Sequence, residues 1–404
     1  MKQIHVLNLI ILSFLATFIS CSKSEKDPVK NENTVKVESI QTLADANQTF
    51  GWNLLKQELI RQPDKNVVIS PLSVQIALYM AINGAEGTTE NEMLEMLQCK
   101  GCDIKSINAQ TKLLVKLLSK ESGHPTLSLA NGFFYDDQRL TLSPTFKNDL
   151  VDYDCVFEKE NFSNKTQALN LINSWVKEKT KGKIDKILDD IKAEDIAFLI
   201  NALYFKSDWS AGFPEEFTRE DDFYTSKGEK KKATFIADDR SVPFYLDSNI
   251  KVVDIPFKDS TYSLTLIRQE SGNEILHPDI YHDLIKKVNY NRAIITFPKI
   301  KVSYDNDIIQ SLKALGMTTA FNPTAADFTS LGVSSNRIFI NQLKHKVVLD
   351  IDEKGAEGAA VTSIGFGVTS MPPYLKFDKP FYIVLRHIQS NTIIFSGKIN
   401  DPLL

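Results

Sequence analysis

The 404-residue sequence predicts an α+β fold, on three observations. Helical periodicity fills the chain up to residue 180, and strand patterns dominate from residue 197 onward. The two kinds of segment do not alternate regularly, as a doubly wound parallel sheet would require. No internal repeat and no Pro/Gly-rich linker interrupts residues 38–404, so one domain accounts for them.

The elements follow in order. Residues 40–60 carry Leu43, Phe50, Leu54, Leu55 and Leu59 at spacings that make one apolar helical face. A short strand, 67–69, precedes Ser70 as N-cap and Pro71 in the first turn of a helix over 72–82. That helix is apolar on nearly every side, which predicts a central position. After a Gly-containing break at 83–87, helices are expected over 89–97 (starting at Thr88) and 107–119, then a strand over 127–135. Ser143-Pro144 opens another helix, and 165–180 is helical up to a stop at Gly182. Strands are expected over 197–205, 252–256, 262–267, 293–299, 338–342, 346–351, 381–388 and 392–399, with short helices over 273–288 and 308–315.

With 43% hydrophobic residues and a net charge of −4, the chain has ample material for a core and no basic excess of the kind nucleic-acid binding needs. The densest basic run, 227–232 with Glu229 inside it, reads as a solvated turn. At the N-terminus, Lys2 and His5 precede an apolar run over 6–19, then Ser20 and Cys21. The run is too short to span a membrane stably and has the layout of a secretory leader, residues 1–20. A small residue before Cys21 resembles a bacterial lipobox, with Phe18 where Leu is usual; Cys21 would become the lipidated N-terminus. Residues 21–37 then suit a polar tether holding the domain at a cell envelope, at the outer membrane or cell surface. Cys99 and Cys102 have the spacing of a redox or zinc half-site, but no second pair completes four ligands. A local disulfide and two unlinked thiols both remain open, and Cys155 stands apart.

No catalytic constellation emerges. There is no His pair four apart on a helix, no phosphate loop and no Ser flanked by Gly in a nucleophile elbow. Gly365-Phe366-Gly367 is half of a dinucleotide fingerprint and no helix pattern follows it. Of the six His, only His345 and His387 fall in expected strands, where a lone His is more often a hydrogen-bonded core residue than a base.

The stretch 353–370 is the most informative. Between Gly355 and Ser370 it contains no Pro, Lys or Arg, and its only charge is Glu357, so either edge is free to pair as a β-strand. Read with period two, Ala356, Gly358, Ala360, Thr362, Ile364 and Phe366 form one face, and Glu357, Ala359, Val361 and Ser363 the other. A flexible Gly/Ala loop is the plainer reading. Its length counts against that, since structureless connections beyond about 15 residues are uncommon inside compact domains.

The chain resembles the serpin family across nearly its whole length after the tether. The resemblance is carried by Ser70-Pro71-Leu72-Ser73 and Gly87-Thr88-Thr89, and by Asn173-Ser174-Trp175-Val176 with Gly182-Lys183-Ile184. It continues through Asn201-Ala202-Leu203-Tyr204-Phe205-Lys206 with Trp209, Phe297-Pro298-Lys299-Ile300 and Leu315-Gly316-Met317. Lys376-Phe377-Asp378-Lys379-Pro380-Phe381 and Phe395-Ser396-Gly397-Lys398 close the series. With its lipobox the chain is similar to the lipoprotein-type bacterial serpins.

The resemblance implies a serpin fold, helices around three mainly antiparallel or mixed sheets, and an exposed reactive-centre loop at about 353–373. It implies a monomeric suicide-substrate inhibitor of serine proteases, with no catalytic residues of its own, no metal and no cofactor. The loop is cut and then inserts into the central sheet. The hinge would be Glu353, Gly355, Ala356, Glu357, Gly358, Ala359, Ala360, Val361 and Thr362. Ala356 stands where Thr or Ser is usual, and Gly358 and Val361 where Ala is usual. Family loop length places the bait bond at Thr369–Ser370. Val368 and Thr369 suit elastase-like or subtilisin-like proteases, and Phe366 suits chymotrypsin-like or papain-like cysteine proteases. Ser70, Ser73, Asn201 and His345 match the polar cluster that controls sheet opening, and Trp209 the aromatic where insertion starts. A non-inhibitory, surface-anchored binding protein is the alternative.

Overall fold

The computed structural model describes residues 32–119, 126–270, 276–356 and 372–403. Cys21 lies outside the described residues, as do Glu357, Gly358, Ala359, Ala360, Val361, Thr362, Phe366, Val368, Thr369 and Ser370.

Helix α1 (Glu32–Arg61) starts earlier than its periodicity indicates and is followed by β1 (Val67–Ile69). Helix α2 (Pro71–Ile82) begins as its sequence dictates: Ser70 Oγ accepts the Ser73 N–H and Pro71 fills the first turn. Leu72, Ile76, Leu78 and Met80 are all buried, so α2 runs through the core. Helices α3 (Gly87–Met96) and α4 (Ile104–Leu118, capped by Asp103) precede β2 (Thr126–Tyr135) and β3 (Leu140–Leu142). Then come α5 (Pro144–Asp149), β4 (Cys155–Lys159) and α6 (Lys165–Lys179).

The strand-rich half opens with β5 (Ala197–Asp208), β6 (Arg219–Tyr224), β7 (Lys230–Leu246), β8 (Ile250–Pro256) and β9 (Tyr262–Gln269). After α7 (Pro278–Lys287) it continues through β10 (Asn289–Pro298), β11 (Ile300–Asp307), α8 (Ile309–Ala314), β12 (Gly332–Ser334) and β13 (Lys344–Ile351). It ends with β14 (Gly355–Ala356), β15 (Tyr374–Lys376), β16 (Phe381–His387) and β17 (Ile393–Ile399).

Two expectations are corrected. Residues 338–342 form no strand, despite Ile338-Phe339-Ile340. The Ile340 N–H is spent on the Ala320 carbonyl (2.9 Å) rather than on a neighbouring strand. The basic run is only partly a turn: Lys230, Lys231 and Lys232 lie in β7. Lys230 and Lys232 both pair with Asp222 (2.7 Å each), and Lys231 pairs with Asp401.

Among the described residues the largest sheet has nine strands, in the order β1-β17-β16-β9-β8-β7-β10-β15 with β6 on β7. A four-stranded sheet runs β14-β5-β2-β4, and β11 pairs with β13. One large core joins α1, α2 and the inner faces of these sheets. A smaller one lies beneath α6, where Ile172 and Val176 meet Phe134, Phe198 and Ile200. Each fully buried large apolar side chain contributes about 1.5–3 kcal/mol, so these cores hold the sheets rigidly apart where they do not pair.

Candidate functional site: the turn and cavity between β5 and β13

Among the described residues, β5 and β13 do not pair with each other and flank a cavity of ≈ 460 Å³. Its walls are residues 196–205 and 344–350. Ser70, Ser73, Val74, Ala77 and Leu78 of α2 line the core side, and Ile184, Ile187 and Leu188 the other. Asn173 on α6 fixes that second segment. Its Oδ1 accepts the N–H groups of Ile187 (2.8 Å) and Leu188 (3.0 Å), and its Nδ2 donates to the Leu188 carbonyl (2.9 Å).

Period-two alternation decides which groups face the cavity. In β5, Phe198 and Ile200 are buried under α6, whereas Leu199, Leu203 and Phe205 turn toward the large core and stay half-buried. In β13, His345, Val347, Leu349 and Ile351 are buried in alternation with half-exposed neighbours. Among the described residues, β14 is the strand that pairs with β5 on the side facing β13, and β11 is the strand that pairs with β13.

The segment 352–356 turns at one end of this cavity. Asp352 Oδ1 accepts the N–H groups of Lys354 (2.8 Å) and Gly355 (3.3 Å), and Asp352 N–H donates to the Gly355 carbonyl, which reverses the chain. Gly355 has φ +140, and a Cβ there would lie 2.3 Å from the Ser207 carbonyl oxygen, so no side chain fits. Gly355 and Ala356 then pair antiparallel with Asp208 and Ser207, and Ala356 is only 3% exposed.

Trp209 secures this turn. It stacks on Phe257 at 4.5 Å and donates Nε1–H to the Asp352 carbonyl and its backbone N–H to the Lys354 carbonyl (2.9 Å each). Glu353 is buried, with Lys299 Nζ at 2.8 Å and Thr218 Oγ1 donating at 2.7 Å. Burial works to raise the Glu353 pKa; the bonds from Lys299 and Thr218 outweigh it and hold the carboxyl below its usual range.

Ser70, Ser73, Asn201 and His345 all line this cavity. His345 Nε2 accepts the Ser70 N–H (2.9 Å), so this nitrogen is unprotonated. Burial pushes the imidazole down to about 4, against the field of Asp305. Asn201 donates to Asn131 Oδ1 (2.7 Å), and Asn131 in turn to the Tyr153 carbonyl (2.7 Å). Asn201 Oδ1 is buried with no hydrogen-bond partner among the described residues. Such a group costs about 1–3 kcal/mol, which makes it a place where an arriving donor is favoured.

Ser70, Ser73, Asn201, His345, Trp209, Glu353, Gly355 and Ala356 therefore converge on one feature. Sequence reading missed Lys299, Thr218, Asp352, Asn131 and Asn173. Lys299 and Asn173 sit inside quoted motifs, but their partners are distant in the chain and carry no local signal. No group of three or more His, Cys, Asp or Glu able to hold a metal occurs among the described residues.

Comparison with known proteins agrees with this architecture. A family model for serpins (serine protease inhibitors) matches residues 45–402. Serpin A3-8 of Bos taurus is 29% identical over 97% of this chain and 96% of its own length. The native state of tengpin, a thermophilic serpin, superposes with a TM-score of 0.81 at 28% identity, covering 93% of this chain and 96% of that one. Human thyroxine-binding globulin complexed with its hormone gives a TM-score of 0.81 at 25% identity, covering 90% and 99%. The chain belongs to the serpin family, whose members are generally protease inhibitors rather than enzymes.

Proposed function

We propose that this protein is an irreversible inhibitor of serine proteases that acts as a suicide substrate. The observation that carries the reading is that the chain leaves β13, turns at Asp352 and begins, with Gly355 and Ala356, to pair antiparallel along β5 on the side that faces β13. In this reading the protease serine attacks the Thr369 carbonyl, the Ser370 amine leaves, and Thr369 remains esterified to the enzyme. The freed segment then pairs down both edges. Strand addition is a general mode of recognition, and serpin loop insertion is one of its known cases.

Register gives the reading content. Continuing the Ala356–Ser207 pairing puts Thr362 opposite Asn201, and continuing the turn at Asp352 puts the same residue opposite His345. Thr362 shares the face of Ala356, so its hydroxyl arrives beside the unpartnered Asn201 Oδ1. The small residues Gly358 and Ala360 precede it on that face, so nothing bulky or charged delays entry. Trapping requires insertion to outrun hydrolysis of the ester, and a prepaired hinge shortens that race.

Val368 and Thr369 favour enzymes with shallow apolar primary pockets, elastase-like or subtilisin-like. Phe366 offers a second bond to chymotrypsin-like or papain-like enzymes. The sequence of the leader supports export and lipidation at Cys21 in a bacterial envelope.

The test is to mix the protein with an elastase and run a denaturing gel. A covalent band at the summed mass is expected. Cleaved fragments without that band would instead support the non-inhibitory binding protein, a role that thyroxine-binding globulin exemplifies in the same fold.

A further inference from the structure

We propose that Cys99 and Cys102 are a redox pair that closes to a disulfide when a small disulfide oxidant reaches it, locking the turn between α3 and α4. Both are free thiols, and helix caps pin both backbones. α3 ends in a Schellman motif: the Gln98 N–H donates to the Glu95 carbonyl (3.1 Å) and the Cys99 N–H to the Leu94 carbonyl (2.8 Å), with Gln98 at φ 61. Cys102 directly precedes Asp103, whose Oδ2 accepts the Ser106 N–H (3.0 Å) and caps α4. Between the caps the Cys102 N–H donates to the Cys99 carbonyl (2.9 Å), and Gly101 has φ 76, as the third position of a type II turn requires. Such a turn holds its end Cα atoms within about 7 Å of each other. A disulfide needs about 4.4–6.8 Å, so closure asks little of the backbone.

Exposure orders the steps. Cys99 is 1% exposed, whereas Cys102 is half-buried. Burial, opposed by the bond from Tyr79 and joined by the neighbouring Cys102 thiol, pushes the Cys99 thiol up to about 11. Cys102 is therefore the thiol that meets the oxidant. Its thiolate, the proton given to water, attacks one sulfur of the small disulfide; that S–S bond breaks, and the first thiol leaves after taking up a proton. Cys99 then attacks the Cys102 sulfur of the mixed disulfide, its own proton passing to the second departing sulfur. Two cysteine thiols are oxidised to one disulfide, and the oxidant is reduced to two thiols. Tyr79 acts as a positioning residue in the second step. Gln75 Nε2 donates to the Tyr79 oxygen (2.9 Å), which leaves the phenol hydrogen for the Cys99 sulfur 3.2 Å away, where it favours the thiolate.

The test is to incubate the full chain with glutathione disulfide, quench it in acid, alkylate it under denaturing conditions and map a glutamate-specific digest by mass spectrometry. The peptide holding both cysteines should lose about 2 Da and take up no alkylating reagent, while Cys155, half-buried and without a neighbouring thiol among the described residues, should be alkylated. Cys99→Ser should instead keep a glutathione adduct on Cys102, because no second thiol resolves it. Tyr79→Phe should slow closure about tenfold while the adduct forms at the parental rate. In the closed parent, hydrogen exchange at the Cys102 N–H should slow about tenfold. Two free thiols, or a lasting adduct on Cys102 of the parent, would overturn the pair. Closure with unchanged exchange at Cys102 would overturn the lock, and parental closure in Tyr79→Phe the part given to Tyr79.

Discussion

Replacing Ala356 with Arg puts the insertion mechanism at risk most sharply at a single residue. Ala356 is 3% exposed, paired with Ser207 and turned toward the large core. A guanidinium carried to that position must leave water without a counter-ion, at an effective cost of several kcal/mol. If about 3 kcal/mol of that cost is felt in the insertion barrier, insertion slows by roughly 100-fold. Hydrolysis of the acyl-enzyme then wins, and the inhibitor becomes a substrate. The uncleaved protein should fold normally, because the pairing of Ala356 with Ser207 lies at one end of β5. The assay is titration of an elastase to full inhibition, with circular dichroism and thermal melting as controls. A parental ratio of inhibitor to protease in a folded Ala356→Arg protein would refute the reasoning.

Further outcomes follow from the same geometry. His345 has its folded pKa depressed to about 4, so its contribution to stability is present above the unfolded value near 6.5 and is lost as pH falls below it. Urea unfolding should show a loss of about 2 kcal/mol between pH 7 and pH 5 that is absent in His345→Gln, where an amide oxygen still accepts the Ser70 N–H. Glu353→Gln removes the charged partner of Lys299; because Lys299 is 42% exposed and screened, denaturant midpoints should report a loss of only about 1 kcal/mol. Trp209→Phe keeps the stack on Phe257 but deletes the bond to the Asp352 carbonyl. Hydrogen exchange at Lys354 and Gly355 should therefore rise with global stability lowered by about 1 kcal/mol.

Elements with strong local signals were legible in the sequence. α2 follows from Ser70, Pro71 and an apolar helix, and β13 from its alternating apolar residues. β11 was missed although Ile300, Val302 and Tyr304 are buried in strict alternation, because Lys301, Ser303 and Asp305 alternate with them on the exposed face and hid the apolar pattern. β7 was missed for its three lysines and Pro243, which a strand tolerates when its partners supply Asp222 and the Pro lacks a ladder duty. The segment 338–342 shows the opposite error: apolar β-formers do not make a strand where, among the described residues, no neighbouring strand pairs with them. Of the hinge read from composition, Glu353, Gly355 and Ala356 fall among the described residues, and Ser70, Ser73, Asn201 and His345, named from the resemblance, line one cavity. The separation of β5 from β13 carried no local signal, since among the described residues it is a missing pairing between them.

Hydrogen exchange across β5 and β13, before and after a single cut in the loop, tests the central claim most directly. The account predicts that backbone N–H groups of 199–206 and 344–350 gain strong protection once the loop is cut, as both edges acquire a new strand. Unchanged exchange in both walls of a fully cleaved protein would contradict it.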